Sequence, residues 1–371
     1  MKLVFTPEQE ELRQSVRRFL ATKSPMSAVR ELMVDETGYD TAVWKQMAEQ
    51  LGLQGLAIPE RFGGSGFTFV ELAIVLEEAG RALLVAPYLS SAVLAAYAIL
   101  DSGDGAAAAD LLPGIADGSR IGTLAFTEDS GRWDLDALTM QAEPDGDGWQ
   151  LTGAKSYVLD GHIADTLLVA ARTPAGLSLF AVDGTAAGVS RTALPTVDLT
   201  RKLARIAFSS TPARLVGVAG GATASLARTL DKAAIALAAE QVGSAQRALD
   251  MAVEYAKVRQ QFGQPIGSFQ AIKHKASEML LRLESARAAA YFGAWSVADE
   301  SDEVPVVASL AKAYAGDAYF YVAGENIQSH GGVGFTWEHD AHLYFKRAAF
   351  GQQFLGDATL HRERLLERVG V

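Results

Sequence analysis

The chain contains no cysteine in 371 residues, so disulfides, thiolate catalysis and cysteine-ligated metal clusters are excluded from the start. It has no apolar run near the roughly 18 residues that a membrane span needs. Its amino terminus, MKLVFTPEQEELRQ, turns polar too early for a signal peptide. Positive charge is scarce: 33 Lys and Arg against 44 Asp and Glu leave a net charge of −11, which argues against the broad basic surface of a nucleic-acid binder. The glycine clusters also lack the context of phosphate loops. Gly63-Gly64-Ser65-Gly66 is followed by no Lys-Ser/Thr pair and preceded by no buried strand, so it reads as a turn between helices. His330-Gly331-Gly332-Val333-Gly334-Phe335 follows a helix, where a dinucleotide fingerprint would follow a strand. What remains is a globular chain, expected to be cytoplasmic and long enough for two or three domains.

Three textures succeed one another. Residues 1–118 read as a helical layer. Thr6 is an N-cap with Pro7 at the first helical position and Gln9 closing a capping box, and Leu12, Val16, Phe19 and Leu20 share a face. Further helical patterns run from Thr41 to Leu53, Val70 to Gly80 and Ser90 to Leu100. Residues 119–219 change to short β-branched runs broken by Pro144, Asp145-Gly146-Asp147-Gly148, Pro174, Asp183-Gly184 and Pro195. The clearest strands are Gly122 to Thr127, Gln150 to Thr152, Thr166 to Ala171, Leu177 to Val182 and Ile206 to Ser209. With no helices between them they predict a small antiparallel barrel or sandwich. Residues 220–371 return to long amphipathic helices, Ala222 to Arg259, Ser268 to Asp299, Val306 to Ser329 and His339 to Arg368, as expected of a four-helix bundle. Ile272, Met279, Leu280 and Leu283 mark one apolar face; Val307, Leu310, Ala311, Tyr314 and Ala318 mark another. The fold class is α+β, mainly α.

One stretch breaks the bundle pattern. Tyr255 to Gln270, YAKVRQQFGQPIGSFQ, gathers Arg259, Gln260, Gln261, Phe262 and a Gly263-Gln264-Pro265 break within seven residues. Arginine has the fork geometry for a pyrophosphate, glycine admits a close backbone approach, and a phenyl ring lies well against a planar group. A hairpin turn with a solvated polar face accounts for these residues equally well.

The order of parts and the words within them resemble the acyl-CoA dehydrogenase family over the whole chain. The matching words are LAFTED (Leu124 to Asp129), LTGAKSYVLDG (Leu151 to Gly161), VRQQFGQPIGSFQAIKHKASEM (Val258 to Met279) and NIQSHGGVGF (Asn326 to Phe335). The resemblance implies a flavoenzyme that binds FAD without a Rossmann fold. It places Leu124, Phe126 and Thr127 beside the isoalloxazine, with Tyr157 covering the ring where the family more often has Trp. It assigns Arg259, Gln261, Phe262, Ile266 and Phe269 to FAD, most of them reaching the cofactor of a neighbouring subunit. Gln328, Gly331 and Gly332 would join them from the glycine loop. Asp231 and Phe354 would face the substrate. It further implies an acyl-CoA substrate, an electron-transfer flavoprotein or similar acceptor, and a homotetramer or a heteromer with a related subunit.

The family's chemistry takes the α-proton of an acyl thioester on a carboxylate while the flavin accepts a hydride from the β-carbon, giving a trans-2-enoyl-CoA. Here the residues depart from the pattern. The usual base is a Glu in a turn near the carboxyl end, and the matching stretch is Phe354-Leu355-Gly356-Asp357, with Leu355 at the glutamate position. The alternative base position, early on the first bundle helix, falls on Ala233. Seven residues further, Glu240 is the only charge between Lys232 and Arg247, on an apolar small-residue face. Two roles fit it: the displaced base, with Asp357 next in line, or a core glutamate paired with an arginine of another helix. Three readings of the chain follow: an acyl-CoA dehydrogenase whose base has moved to Glu240, a non-catalytic FAD-binding subunit of a heteromer, or another flavin oxidation on this fold. The DSGRWD sequence after Glu128, where the family has a proline- and glycine-rich loop, keeps the last open.

Overall fold

A computed structural model describes residues 4–146 and 148–371. Met1 to Leu3 of the polar amino terminus, and Asp147 of the expected turn, lie outside them. The chain begins with helices α1 (Pro7–Lys23), α2 (Met26–Leu32), α3 (Thr41–Leu51), α4 (Phe69–Arg81), α5 (Ala96–Ser102) and α6 (Gly105–Ala116). Strands β1 (Gly122–Ala125), β2 (Gln141–Asp145), β3 (Gly148–Leu159), β4 (Thr166–Thr173), β5 (Gly176–Asp183), β6 (Val189–Leu194) and β7 (Leu203–Val216) follow. The rest is α7 (Ala222–Val258), a hairpin of β8 (Gln260–Gln261) and β9 (Gln264–Pro265), then α8 (Gln270–Ala298), α9 (Val304–His330), α10 (Ala341–Gln353) and α11 (Ala358–Val369). These elements form two compact units. One contains the segment ending at Glu31, Phe69–Leu84 and Ala234–Val371; the other contains Leu32–Thr68 and Val85–Ala233.

In the first unit α1 starts as its sequence dictates. The Thr6 hydroxyl accepts from the Gln9 amide at 3.3 Å and the Gln9 side chain accepts from the Thr6 amide at 3.0 Å, which satisfies two of the helix's free N–H groups. Helices α4 and α7 cross backbone to backbone. A Cβ on Gly80 would stand 1.9 Å from the Glu240 carbonyl oxygen, and one on Gly243 would stand 1.7 Å from that of Glu77. The Ser244 hydroxyl seals the crossing by donating to the Gly80 carbonyl at 2.9 Å.

One expectation for the bundle is corrected. The segment from His339 to Arg368 is two helices, α10 and α11, because Leu355 (φ 64°) and Gly356 (φ 102°) leave the helical region and Asp357 restarts the chain as N-cap, accepting from the Leu360 amide at 2.9 Å. The apolar faces are also only partly internal. Met279, Leu283, Val307, Ala311 and Ala318 are buried, whereas Leu280, Leu310 and Tyr314 are exposed, because they sit on the flank of the stripe.

The second unit is built on a barrel. Strands β2, β3, β7, β5 and β4 pair in that order, and the β2–β4 contact closes the ring, with β1 on β4 and β6 on β7. Leu151, Leu167, Val169, Phe180 and Ile206 are among its buried residues. The expected antiparallel pairing fails at the β2–β4 closure, parallel at Gln141↔Arg172, and at β1, which runs parallel to β4 from Gly122↔Thr166 to Ala125↔Val169. Forty residues lie between them, long enough for the crossover that a parallel pair requires. Strands β2 and β6 and helix α6 were not expected from the sequence; both strands are largely solvent-facing, so their pattern is polar. In the Gly63–Gly66 cluster the amides of Ser65 and Gly66 donate inward to Gly55 and Ile58 carbonyls at 2.9 and 3.0 Å, so they are not free to cradle a phosphate.

Because Gly243 cannot take a Cβ without displacing backbone, Gly243→Ala should destabilise the protein by roughly 3 kcal/mol or more. A urea-unfolding midpoint equal to that of the wild type would contradict the crossing.

Candidate functional site

The polar stretch that interrupts the bundle is a displayed hairpin. In the first unit α7 ends as the Arg259 amide donates to Tyr255 O at 2.8 Å, and β8 pairs with β9 in the register Gln260↔Pro265 and Gln261↔Gln264. The two residues at its tip, Phe262 and Gly263, have φ 52° and 80°, the positive values that a two-residue hairpin needs to follow the strand twist. Phe262 is 92% exposed and meets Phe269 edge-on at 6.0 Å. Arg259 and Gln261 are exposed, and Ile266 is half-buried. The Arg259 guanidinium has no side-chain partner among the described residues.

The glycine loop lies in the same unit, at the end of α9. Gln328 is exposed, Gly331 has φ 63°, and nothing stands within 4 Å of where a Cβ on Gly331 or Gly332 would be. The chain's own packing does not require glycine at 332; a group approaching from outside would. An unpaired guanidinium, an exposed amide and open glycine backbone suit a pyrophosphate, and so these residues fit one part of FAD. The loop is pinned from behind by rings, with His330 4.3 Å from Tyr255 on one side and 4.3 Å from His339 on the other. Arg30 holds its far end, donating to Asp340 at 2.8 Å and to the Trp337 carbonyl at 2.8 Å.

The second unit carries the other group. Leu124, Phe126 and Thr127 are buried at the end of β1, where the Thr127 carbonyl accepts from the Ser156 amide at 2.8 Å. The Thr127 hydroxyl has no partner among the described residues, which fits the polar edge of a flavin. Tyr157 is half-exposed with φ 58°. The segment beyond Thr127 is fixed by an ion pair that sequence reasoning missed, from the buried Lys155 to the half-buried Glu128 at 2.8 Å. Burial pushes the Lys155 amine down to about 8. Glu128 resists its own burial and is held near 2 by Lys155, Thr139 and the Met140 amide. Trp133 packs on Phe126 with ring centres 5.8 Å apart. Asp231, also in this unit, is buried on α7.

The expected acid–base residues resolve as follows. Glu240 is buried and its Oε1 lies 3.0 Å from Nη1 of Arg347 on α10, itself buried. Ala233 is fully buried, Leu355 and Phe354 are buried, and Asp357 caps α11. The turn between α10 and α11 has supports that the sequence reading did not include. Lys312 of α9 donates to Gly356 O at 2.7 Å and Gln352 O at 3.3 Å, and His361 Nε2 meets Leu355 O at 3.0 Å. Lys312 is the one charge in the apolar run from Val304 to Gly316, a signal that the sequence did offer.

The Glu240–Arg347 pair yields a direct test. Glu240→Gln removes one charge of a buried pair and should cost about 3–5 kcal/mol of stability, while the double change Glu240→Leu with Arg347→Met should recover most of it. A single variant as stable as the wild type would show that the pair contributes nothing to the fold.

Models of known families match the chain in three consecutive segments: the acyl-CoA dehydrogenase N-terminal domain over residues 6–119, its middle domain over 123–209 and its C-terminal domain over 220–370. Acyl-CoA dehydrogenase IpdE2 of Mycobacterium tuberculosis is 38% identical over 351 residues, covering 94% of this chain and 93% of its own. Its namesake in Mycolicibacterium smegmatis is 36% identical, with 96% and 97% covered. Among solved structures, a chain of the ChsE4–ChsE5 complex from Mycobacterium tuberculosis superposes with a TM-score of 0.90 at 30% identity, covering 100% of this chain and 99% of that one. The sequence, the barrel between two helical parts and the three matched domains agree: the chain belongs to the acyl-CoA dehydrogenase family.

Proposed function

We propose that the chain is an FAD-binding subunit of a heteromeric acyl-CoA dehydrogenase and that it lacks a proton-abstracting base of its own. The observation that carries this reading is the state of its carboxylates. By the family resemblance Leu355 falls at the position of the usual base and Ala233 at that of the alternative, and Glu240 lies against Arg347 at 3.0 Å. A buried carboxylate engaged by a buried guanidinium is held in that pair, whereas a base for a thioester α-proton must be free to reach the substrate. The complex of two differently named chains, ChsE4 and ChsE5, supports the same arrangement for this one.

In this reading the assembled heteromer converts an acyl-CoA thioester to a trans-2-enoyl-CoA and passes electrons to an electron-transfer flavoprotein or similar acceptor. Bound FAD would supply the hydride acceptor. The chain's part is binding and orientation. Leu124, Phe126 and the Thr127 hydroxyl hold the flavin's ring edge, and Tyr157 covers it. Arg259, Gln261 and Phe262, with Ile266, Phe269, Gln328, Gly331 and Gly332, meet the FAD of a neighbouring subunit, where the guanidinium offsets pyrophosphate charge. Asp231 and Phe354 face the acyl-CoA. Leu355 presents an aliphatic wall, so the proton acceptor comes from the partner.

The purified chain should leave its flavin oxidised with every acyl-CoA offered, and bleaching should appear when a related chain with a glutamate in its α10–α11 turn is co-assembled. Bleaching by the isolated chain, abolished by Glu240→Gln with FAD retained, would overturn this and make Glu240 the base. Arg259→Ala should weaken FAD retention by about tenfold or more, the scale of one charge-assisted hydrogen bond, and weaken subunit assembly with it. Loss of FAD with assembly untouched would refute the cross-subunit role.

A further inference from the structure

The turn between α10 and α11 has a geometry that its own sequence does not favour. Leu355 is a bulky, buried residue at φ 64°, a region that L-residues other than Asn and Asp rarely occupy. Such a conformation persists only where the surroundings over-determine it. Here they do. The Phe354 amide donates to Phe350 O at 2.9 Å and the Gly356 amide to Gln353 O at 3.1 Å. Lys312 reaches in from α9 and takes the carbonyls of Gln352 and Gly356. His361 comes back from α11 to the Leu355 carbonyl at 3.0 Å, and Asp357 caps α11.

Lys312 is the unusual member. It is 1% exposed, and a buried amine is normally retained only with a carboxylate beside it. Its hydrogen-bond partners here are two backbone carbonyls. Asp317 and Asp357 act on it through space and oppose a desolvation that draws the amine down to about 7. One of the carbonyls ends α10, where the helix's unsatisfied acceptors and its negative pole lie. The other belongs to Gly356, immediately after the strained residue. A donor that bridges the two fixes the distance across the turn, and with it the placement of Phe354 and Leu355.

We propose that Lys312 is a positioning residue: it holds the 354–357 turn in its left-handed shape, and through that turn sets the wall that Phe354 and Leu355 present to the acyl group. The second half of this statement rests on the turn being part of an acyl-CoA site, as proposed above; the first does not. His361 supports the same carbonyl row. Burial pushes its imidazole down to about 4, so near neutral pH it is uncharged, with its proton on Nε2 toward Leu355.

The test compares Lys312→Met, which keeps the length and removes the donor, with Lys312→Ala, which leaves room for an added amine. Amide hydrogen exchange at Phe354 and Gly356 should speed up by about tenfold or more in both variants, the scale of losing two braced carbonyls, while Tyr319 and Val322 in the same α9 exchange as in the wild type. Ethylamine should restore protection to Lys312→Ala and not to Lys312→Met. In the FAD-loaded heteromer the acyl-CoA Kd should rise by a similar factor with flavin content unchanged. Unchanged exchange at the turn overturns the proposal, as does a loosening spread evenly along α9, which would make Lys312 a general stabiliser. Failure of the wild-type heteromer to bind any acyl-CoA, with the local exchange effect present, refutes the acyl-site reading and leaves the bracing intact.

Discussion

The contact between α4 and α7 at Gly80 and Gly243 constrains much of what surrounds it in the first unit. With no Cβ on either side the two backbones touch, and side chains flanking the crossing are driven into the interior whatever their charge. Glu77 and Glu78 are the result. Burial alone would raise the Glu77 pKa; the charges of Arg13 and Arg287 outweigh that and hold the carboxylate below its usual range, with Tyr291 donating a further hydrogen bond. Arg17 forks onto Glu78 at 2.7 and 2.8 Å. Thus α1 and α8 are recruited by charges that the crossing buries. Isolated surface pairs contribute little; this network differs because its acids are enclosed and each must be matched.

The same crossing bears on Glu240. Its backbone lies against Gly80, one turn from Ser244, and its side chain meets Arg347. Substituting a neutral residue for a buried partner is costly because the remaining charge has nowhere to go. A carboxylate in that position serves to define which face of α10 meets α7.

Much of the architecture was legible because it is local. The start of α1 is written in Thr6, Pro7 and Gln9, and five of the seven barrel strands in β-branched runs between turn residues. What was not legible depends on distance. The parallel register of β1 on β4 joins segments that forty residues separate, and β2 and β6 are too exposed to show an apolar alternation. At the site, the hairpin around Arg259 stood out because polar residues broke a helical period. The partner of Glu240 did not, since Arg347 is 107 positions away and nothing in either segment names the other. Lys312 lay between. Its charge in an apolar run was visible, but its purpose required knowing that two carbonyls of a distant turn face it.

The barrel's closure also constrains the order in which the second unit can form. Strand β3 finds its long antiparallel partner only in β7, from Trp149↔Ala213 to Leu159↔Leu203, and β5 completes its pairing on the same strand. Until residue 216 has left the ribosome, β3 and β5 therefore carry open hydrogen-bonding edges, the feature that invites pairing with foreign chains. Nascent chains of this protein are thus most exposed to misassembly during synthesis of the middle third, and the arrival of β7 removes both edges in one step.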